Sequence, residues 1–397
     1  MAIALILNAH THRSAKKAFT EADLLEYRLD EIRRPNLPET NAIFTHPSKE
    51  DLALSPAFVD LDYQSESISY LSPHSKLIAS YHNYESTPDL EKLFNQMQKV
   101  QADFYKIATF ANSSLDALRM MRFRRKHPNV IGICMGEKGL VTRVTAPICG
   151  QHHTYASLEK NDLGIPLLEE LLTVYNYRHL NPQTKIFALI GDPVSLSPSH
   201  ITHNQTFLSR GQNALYVKIS LKKEELSEFF SYSNFFDGLS VTHPLKEAVL
   251  PFLQKIDPEA KSIGAVNTIS QGCGYNTDGR GAWDAIGNPP GKRVAILGEG
   301  GAARAAAFEA KKRGFLPTIY YRTLDLKPYD ILINATPLGM RGELALPKDK
   351  ILERTTLLDM VMADTPLIKI AKEKKCRVIT GKEMFHAQAK HQLKFFK

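Results

Sequence analysis

Residues 293–321 read RVAILGEGGAARAAAFEAKKRGFLPTIYY, and this stretch decides the fold of the C-terminal half. Arg293–Leu297 is a short apolar run of strand type. Gly298-Glu-Gly300-Gly301 interrupts it, an alanine-rich helix is expected from Ala302 to Lys312 with Gly314 as its stop, and Thr318–Tyr321 opens a second strand. Strand, glycine turn, helix and strand in this order make a dinucleotide-binding unit. The glycines let backbone approach a pyrophosphate, and the free N–H groups of the helix N-terminus receive it. An acidic residue at the end of the second strand would serve the ribose of NAD. Tyr321-Arg322-Thr323 stands there instead, and a guanidinium with a hydroxyl suits the 2′-phosphate of NADP.

The chain has 397 residues, which at roughly 150 residues per domain suggests two or three domains. Its 43% hydrophobic and 23% charged composition excludes disorder and collagen-like folds. No run approaches the roughly 20 apolar residues of a membrane span. Met1 precedes a short apolar run with no basic region, so no signal peptide is expected. Four cysteines form no CxxC and fit a reducing cytoplasm. The densest basic run is Arg119, Arg122, Arg124, Arg125 and Lys126, interleaved with Met120, Met121 and Phe123. It reads as a solvated helix with one core face rather than a nucleic-acid patch.

Upstream, short apolar strands recur at Ile3–Leu7, Leu24–Leu29, Ala42–Thr45, Phe58–Tyr63, Lys76–His82, Phe104–Phe110, Val130–Met135 and Tyr155–Leu158. Helix-compatible segments such as Pro88–Gln101 and Leu115–Lys126 separate most of them, while Glu31–Asn41 is a turn-rich link. Alternation implies a parallel sheet, and eight units suggest a small closed barrel; by period alone an open sheet fits nearly as well. Glu26, Arg28 and Asp30 then end the second strand, His46 follows the third, His82 ends the fifth, and Arg143 follows the seventh. These strand ends share the face where barrel active sites form. Lys106 lies inside a strand among apolar neighbours. Desolvation there would lower its pKa and make a nucleophilic amine; an outward lysine at a strand edge is the alternative. Glu26 and Arg28, two apart, share a face and could equally be a buried ion pair.

Glu26-Tyr-Arg28-Leu-Asp30, Ser80-Tyr-His82-Asn-Tyr-Glu-Ser-Thr-Pro88, Tyr105-Lys106-Ile-Ala and Val141-Thr-Arg143 resemble, in order, type I 3-dehydroquinate dehydratase. The resemblance implies a (β/α)8 TIM barrel over residues 1–180 and a Schiff base between Lys106 and the substrate ketone. His82 would move the protons, Arg143 would hold the carboxylate, and Glu26, Arg28 and His46 would complete the substrate site. The pattern departs from the family at His46, which replaces an arginine. It departs also at Asn161-Asp-Leu-Gly164-Ile165, which replaces a loop with a serine and Ala-Pro-Gly-Gln.

After the linker Asn181–Thr184, strand Ile186–Ile190 opens a second α/β region. Ile190-Gly-Asp-Pro-Val-Ser195-Leu-Ser197-Pro198, Val241-Thr242-His-Pro-Leu-Lys246, Ile263-Gly-Ala-Val-Asn267-Thr268 and Asn276-Thr-Asp278-Gly279 follow, then the glycine turn, Asn334-Ala-Thr336-Pro-Leu-Gly-Met340 and Gly381 through Gln388. Singly, each has a bland reading as a turn or cap. Together they resemble shikimate dehydrogenase. The resemblance implies Lys246 and Asp278 as catalytic pair, and Ser195, Ser197, Thr242, Asn267 and Gln388 as substrate-binding groups. It places NADP on Gly298, Gly300, Gly301, Ala302, Arg322, Thr323, Asn334, Thr336 and Gly381. The paired serines match the shikimate form rather than the quinate form. Ser240, Tyr321 and Met362 stand where the family has asparagine, asparagine and tyrosine. Leu324–Pro328 replaces a helix and usually a strand, so a trimmed Rossmann domain is expected.

The expected organisation is a barrel at 1–180, a substrate-binding domain at 184–280 with a C-terminal helix at 383–397, and a Rossmann domain at 281–382. The two resemblances join consecutive reactions of aromatic amino-acid biosynthesis: a lyase and an NADP oxidoreductase in one cytoplasmic chain. Its partners would be the small molecules 3-dehydroquinate, 3-dehydroshikimate and shikimate, with no metal, nucleic acid or membrane. The rivals are a dehydrogenase (of shikimate or quinate) with a silent barrel, and a ligand-sensing regulator without catalysis.

Overall fold

The computed structural model describes residues 2–7, 20–32, 41–321 and 326–397. Contacts divide the chain into two compact units. The first holds residues 1–186, 193–221 and 227–235; the second holds 187–192, 222–226 and 236–397.

In the first unit eight strands form one sheet: β1 Ala2–Leu7, β2 Leu24–Arg28, β3 Ala42–Thr45, β4 Phe58–Asp62, β5 Lys76–Asn83, β6 Phe104–Phe110, β7 Val130–Met135 and β8 His153–Ala156. Their spatial order is β7-β6-β5-β4-β3-β2-β1-β8, and every neighbouring pair is parallel. Parallel strands with intervening helices wrap into a barrel whose inward residues pack as a core. Ala4, Ile43, Ile78, Ala108, Ile131, Ile133 and Tyr155 supply it. β8 starts two residues earlier than its apolar run suggested, because the inward partner of Tyr155 is a histidine, His153, which hides the alternation.

Full closure was expected, yet among the described residues no ladder joins β7 to β8. Side chains occupy the seam instead. Gln151 Oε1 accepts from the Gly132 N–H at 3.2 Å, and its Nε2 donates to the His153 carbonyl at 2.6 Å. Thr142 Oγ1 accepts from the Cys134 N–H at 3.0 Å. Arg124 donates to the carbonyls of Gly132 and Thr142. These bonds satisfy edge groups that a ladder would have paired. They also correct the reading of the basic run. Helix Ser114–Lys126, started by a capping box of Ser113 and Asp116, buries Met120, Met121 and Phe123 as its period requires. Arg124, placed by sequence on a solvated face, is only 1% exposed because the seam needs its donors. Helix Leu90–Met97, capped by Asp89, is shorter than the Pro88–Gln101 expected.

Beyond the barrel come β9 Lys185–Gly191, β10 Ala214–Ser220, β11 Gly238–Val241, β12 Lys255–Ile256, β13 Thr268–Ser270 and β14 Cys273–Tyr275. In the second unit β9 runs parallel to β11, β13 antiparallel between β11 and β14, and β12 parallel to β14. β15 Arg293–Leu297, β16 Leu316–Tyr320, β17 Ile331–Asn334, β18 Thr356–Asp359 and β19 Arg377–Ile379 follow. They make an all-parallel sheet in the order β16-β15-β17-β18-β19, the arrangement of a nucleotide-binding sheet. Among the described residues no helix is long and apolar enough to cross a membrane.

Candidate active sites

The barrel site is built from strand alternation. Asp60 on β4 and Lys106 on β6 both point inward, where Lys106 Nζ lies 2.7 Å from Asp60 Oδ2 and 3.6 Å from Glu26 Oε1. Thr45 Oγ1, on β3, donates to the same Glu26 oxygen at 2.9 Å. The ammonium also sits 4.5 Å from the Tyr155 ring centroid. Lys106 is therefore inward, not at an outer edge, and its side chain is 7% exposed.

Its protonation differs from the sequence expectation. Burial alone would lower the Lys106 pKa, but Asp60, Tyr155 and Glu26 outweigh burial and hold it well above the ordinary lysine value. The resting residue is an ammonium that must shed a proton before it can attack a carbonyl. His82, at the end of β5, is displaced the other way. Burial, then the Lys106 cation, pushes it down to about 4, so it is a neutral imidazole near pH 7.

Arg143 is 4% exposed. Its Nη2 donates to the Leu163 carbonyl at 3.4 Å, while its buried Nε has no partner. Among the described residues no carboxylate forms a salt bridge with it, and burial pushes its pKa down to about 10. A desolvated guanidinium with spare donors is a receptor for a ligand carboxylate. Leu163 belongs to the departing loop, which the Asn161 side chain closes on Ile165 and which Leu163 fastens to the Gly136 N–H. Arg28 bonds Asp30 at 3.0 Å rather than Glu26. His46 is exposed beyond β3 in a left-handed conformation.

In the second unit Lys246 Nζ meets Asp278 Oδ2 at 2.5 Å. Asp278 opens helix Asp278–Ile286. Asn267 Nδ2 donates to Asp278 Oδ1 at 2.8 Å and to Thr277 Oγ1 at 3.0 Å, and Asn267 Oδ1 accepts from the Thr277 N–H. Gln388 Nε2 donates to Thr277 Oγ1 at 2.7 Å. Gln392 donates to the Asn267 carbonyl and accepts from Ser240. Asn267, expected as a ring-hydroxyl ligand, thus also holds the Asp278 carboxylate in place, and Gln388, expected in the same role, holds the neighbouring Thr277. Two glycines let this helix come close to its neighbours. A Cβ on Gly279 would lie 2.3 Å from the Ala305 carbonyl, and one on Gly281 would lie 2.5 Å from the Gln388 Cα.

The same helix carries Trp283, which donates to the Ala306 carbonyl at 2.9 Å and so ties Asp278 to helix Gly301–Lys312 and its glycine turn. Gly298 has φ +109° and lies against Ala335 and Thr336. Asn334 holds Thr336 through Oδ1 and reaches Asp359 at 3.0 Å. Ala302 is the second residue of helix Gly301–Lys312, Gly381 opens helix Gly381–Gln392, and Thr242 follows β11. The structure thus brings Lys246, Asp278, Asn267 and Gln388 together. Ser195 and Ser197 belong to the first unit, where Lys218 Nζ donates to the Ser195 carbonyl at 2.9 Å and Ser197 donates to Ser199. Arg322 and Thr323 lie outside the described residues.

Sequence reasoning missed Asp60, although Phe58-Val-Asp60-Leu-Asp62 offered a signal: a carboxylate on the inward parity of an apolar strand. Thr45, Thr277 and Gln392 gave none.

Comparison with known proteins gives two family matches. Residues 48–182 match type I 3-dehydroquinase, and residues 189–269 match the shikimate dehydrogenase substrate binding domain. A shikimate biosynthesis protein AroDE of Chlamydia muridarum is 34% identical, with 86% of this chain and 78% of that protein covered. The chloroplastic bifunctional 3-dehydroquinate dehydratase/shikimate dehydrogenase of Arabidopsis thaliana is 36% identical over 81% of this chain and 63% of its own length. Among solved structures, shikimate dehydrogenase from Aquifex aeolicus aligns at TM-score 0.51 and 29% identity, covering 54% of this chain and 93% of that one. The Thermus thermophilus enzyme, solved with shikimate, aligns at 0.50 and 31%, with the same coverage.

Proposed function

Because this chain belongs to the bifunctional 3-dehydroquinate dehydratase/shikimate dehydrogenase family, we propose that its two lysine–aspartate sites catalyse consecutive steps: dehydration of 3-dehydroquinate to 3-dehydroshikimate, then reduction to shikimate. The chain spans 63% of the plant relative and 78% of the chlamydial one. The observation that carries the reading is the buried cluster of Lys106, Asp60, Glu26 and under-bonded Arg143, with half-buried His82 beside it.

In the first reaction Arg143 takes the substrate carboxylate and Lys106, once neutral, condenses with the ketone, releasing water. The imine nitrogen becomes cationic and stabilises carbanion character at C2. His82 removes the C2 proton and returns one to the departing C1 hydroxyl. Glu26, Arg28 and His46 orient the ring hydroxyls and the imidazole. Hydrolysis of the imine frees product and restores Lys106.

In the second reaction Lys246 holds a proton at the ketone oxygen and Asp278 fixes its direction. Thr242, Asn267 and Gln388 face the hydroxyls. The glycine turn fits a dinucleotide. Gly300 has open space where a side chain would stand, and helix Gly301–Lys312 begins without a side-chain cap, which leaves N–H groups for phosphate. Gly298, Gly300, Gly301 and Ala302 would hold the pyrophosphate, Arg322 and Thr323 the 2′-phosphate, and Asn334, Thr336 and Gly381 the nicotinamide side. Shikimate dehydrogenase (NADP(+)) of Pyrococcus furiosus, 36% identical over 51% of this chain, supports NADP, which when bound as NADPH supplies hydride. The domain limits 1–180, 184–280 with 383–397, and 281–382 and a cytoplasmic setting belong to the same reading.

The test feeds purified protein 3-dehydroquinate. Enone absorbance should rise without cofactor, and NADPH should be consumed once it is added. Consumption only when 3-dehydroshikimate is supplied would leave the barrel silent and refute the first half.

A further inference from the structure

One polar line inside the barrel takes no part in the chemistry above. His152 Nδ1 lies 2.9 Å from His153 Nδ1, and His153 Nε2 lies 3.0 Å from the Tyr155 hydroxyl. Tyr155 in turn carries the Lys106 ammonium 4.5 Å from its ring centroid, and the charge of that ammonium draws its phenol down against the rise due to burial. His153 and Tyr155 are 0% and 2% exposed, while His152 is half-buried. The His152 ring packs 5.6 Å from Phe58 and 4.5 Å from Phe104, the first residues of β4 and β6. The line therefore runs from the N-terminal end of the barrel to the lysine, away from the strand ends where substrate enters.

We infer that His152, His153 and Tyr155 form a proton relay that takes the Lys106 proton out through the N-terminal end of the barrel when the imine forms, and returns it when the imine is hydrolysed. This rests on reading Lys106 as the imine-forming residue. Only the neutral amine attacks a carbonyl, and substrate fills the other way out. The transfers balance. Lys106 Nζ gives a proton to Tyr155 Oη as Oη gives its own to His153 Nε2. His153 Nδ1–H passes to His152 Nδ1. Lysine is left as a neutral amine and His152 as an imidazolium, which exchanges with water; reversal resets the line.

Asp60 and Glu26 face the lysine end, His82 stands beside it, and Lys76 faces His152. The Lys76 charge keeps the imidazolium short-lived. Burying polar rings between Phe58, Phe104 and the apolar interior is costly, and packing alone would be served by apolar residues. The two nitrogens of His153 have one partner on each side, as a relay needs.

His153 and Tyr155 are thus positioning residues, acting through Lys106. The experiment mixes the full chain with 3-dehydroquinate, quenches with borohydride on the millisecond scale, and follows the reduced adduct on Lys106. His153→Phe and Tyr155→Phe should each slow adduct formation by about tenfold or more with KM unchanged. His153→Ala should be slowed likewise and recover as imidazole is added. Reduction of 3-dehydroshikimate by NADPH in the same samples reports an intact chain; if His153→Ala loses it, Tyr155→Phe, one oxygen smaller, carries the test. Wild-type rates in both phenylalanine variants would overturn the relay. So would a slow His153→Ala that imidazole fails to rescue while KM climbs. Absence of any adduct in the unmodified chain would overturn the Lys106 reading itself, and the relay with it.

Discussion

Lys106 and Lys246 each meet an aspartate, at 2.7 Å in the barrel and 2.5 Å in the second unit. Around these similar pairs the surroundings diverge. The Lys106 side chain is 7% exposed, with Glu26 and Tyr155 as further neighbours; Lys246 is 20% exposed, and its aspartate is oriented by Asn267. An ion pair therefore does not specify a reaction. On the proposed reading, the deeply buried lysine works by losing its proton and bonding to carbon, so it needs a proton exit and a neutral base nearby. The shallower one, on the same reading, works by holding a proton at a fixed place, so it needs a rigid carboxylate.

The sharpest way to break this comparison is to delete each amine. Lys106→Ala should lower dehydration by about 10⁴-fold or more and leave reduction intact; Lys246→Ala should do the reverse, by about 10²–10⁴-fold. Loss of both activities in either variant, read in separate assays, would mean the sites are not independent. His82→Ala should cost dehydration about 10³-fold. In the unmodified chain the acid limb of dehydratase kcat/KM should fall near His82's value of about 4; a limb near the ordinary 6.5 would contradict the neutral buried base.

The paired carboxylates should differ in stability. Asp60→Asn strips the nearest countercharge from a buried ammonium and should cost about 3–5 kcal/mol in urea unfolding. Asp278→Asn, beside a better hydrated lysine, should cost less. Gln151→Leu, which leaves the Gly132 N–H unpaired at the seam, should cost about 1–3 kcal/mol. His153 lies at about 3 in the folded barrel, below its unfolded 6.5. As pH falls the unfolded chain takes the proton first, so stability is full above 6.5 and drains away towards about 3. The slope is about 1.4 kcal/mol per pH unit for this group, and His153→Phe should flatten it.

Much of the fold was legible because alternation and apolar runs are local. β3, β6, β7 and β15 begin and end where the apolar runs do. The seam was not legible, since Gln151, Thr142 and Arg124 act through contacts across distant turns, and a buried arginine looks like a surface one in sequence. At the sites, the amines and His82 were legible in motifs. The protonation of Lys106 was not, because it depends on Asp60 from another strand. Nor was the hub of Asn267, Thr277 and Gln388, in which the hydrogen-bonded Thr277 and Gln388 lie 111 residues apart.

The most direct measurement is the mass of two peptides. After borohydride reduction in the presence of 3-dehydroquinate, the peptide containing Lys106 should gain one reduced substrate-derived adduct and the peptide containing Lys246 none. An unmodified Lys106 peptide while dehydration runs at full rate would contradict the account.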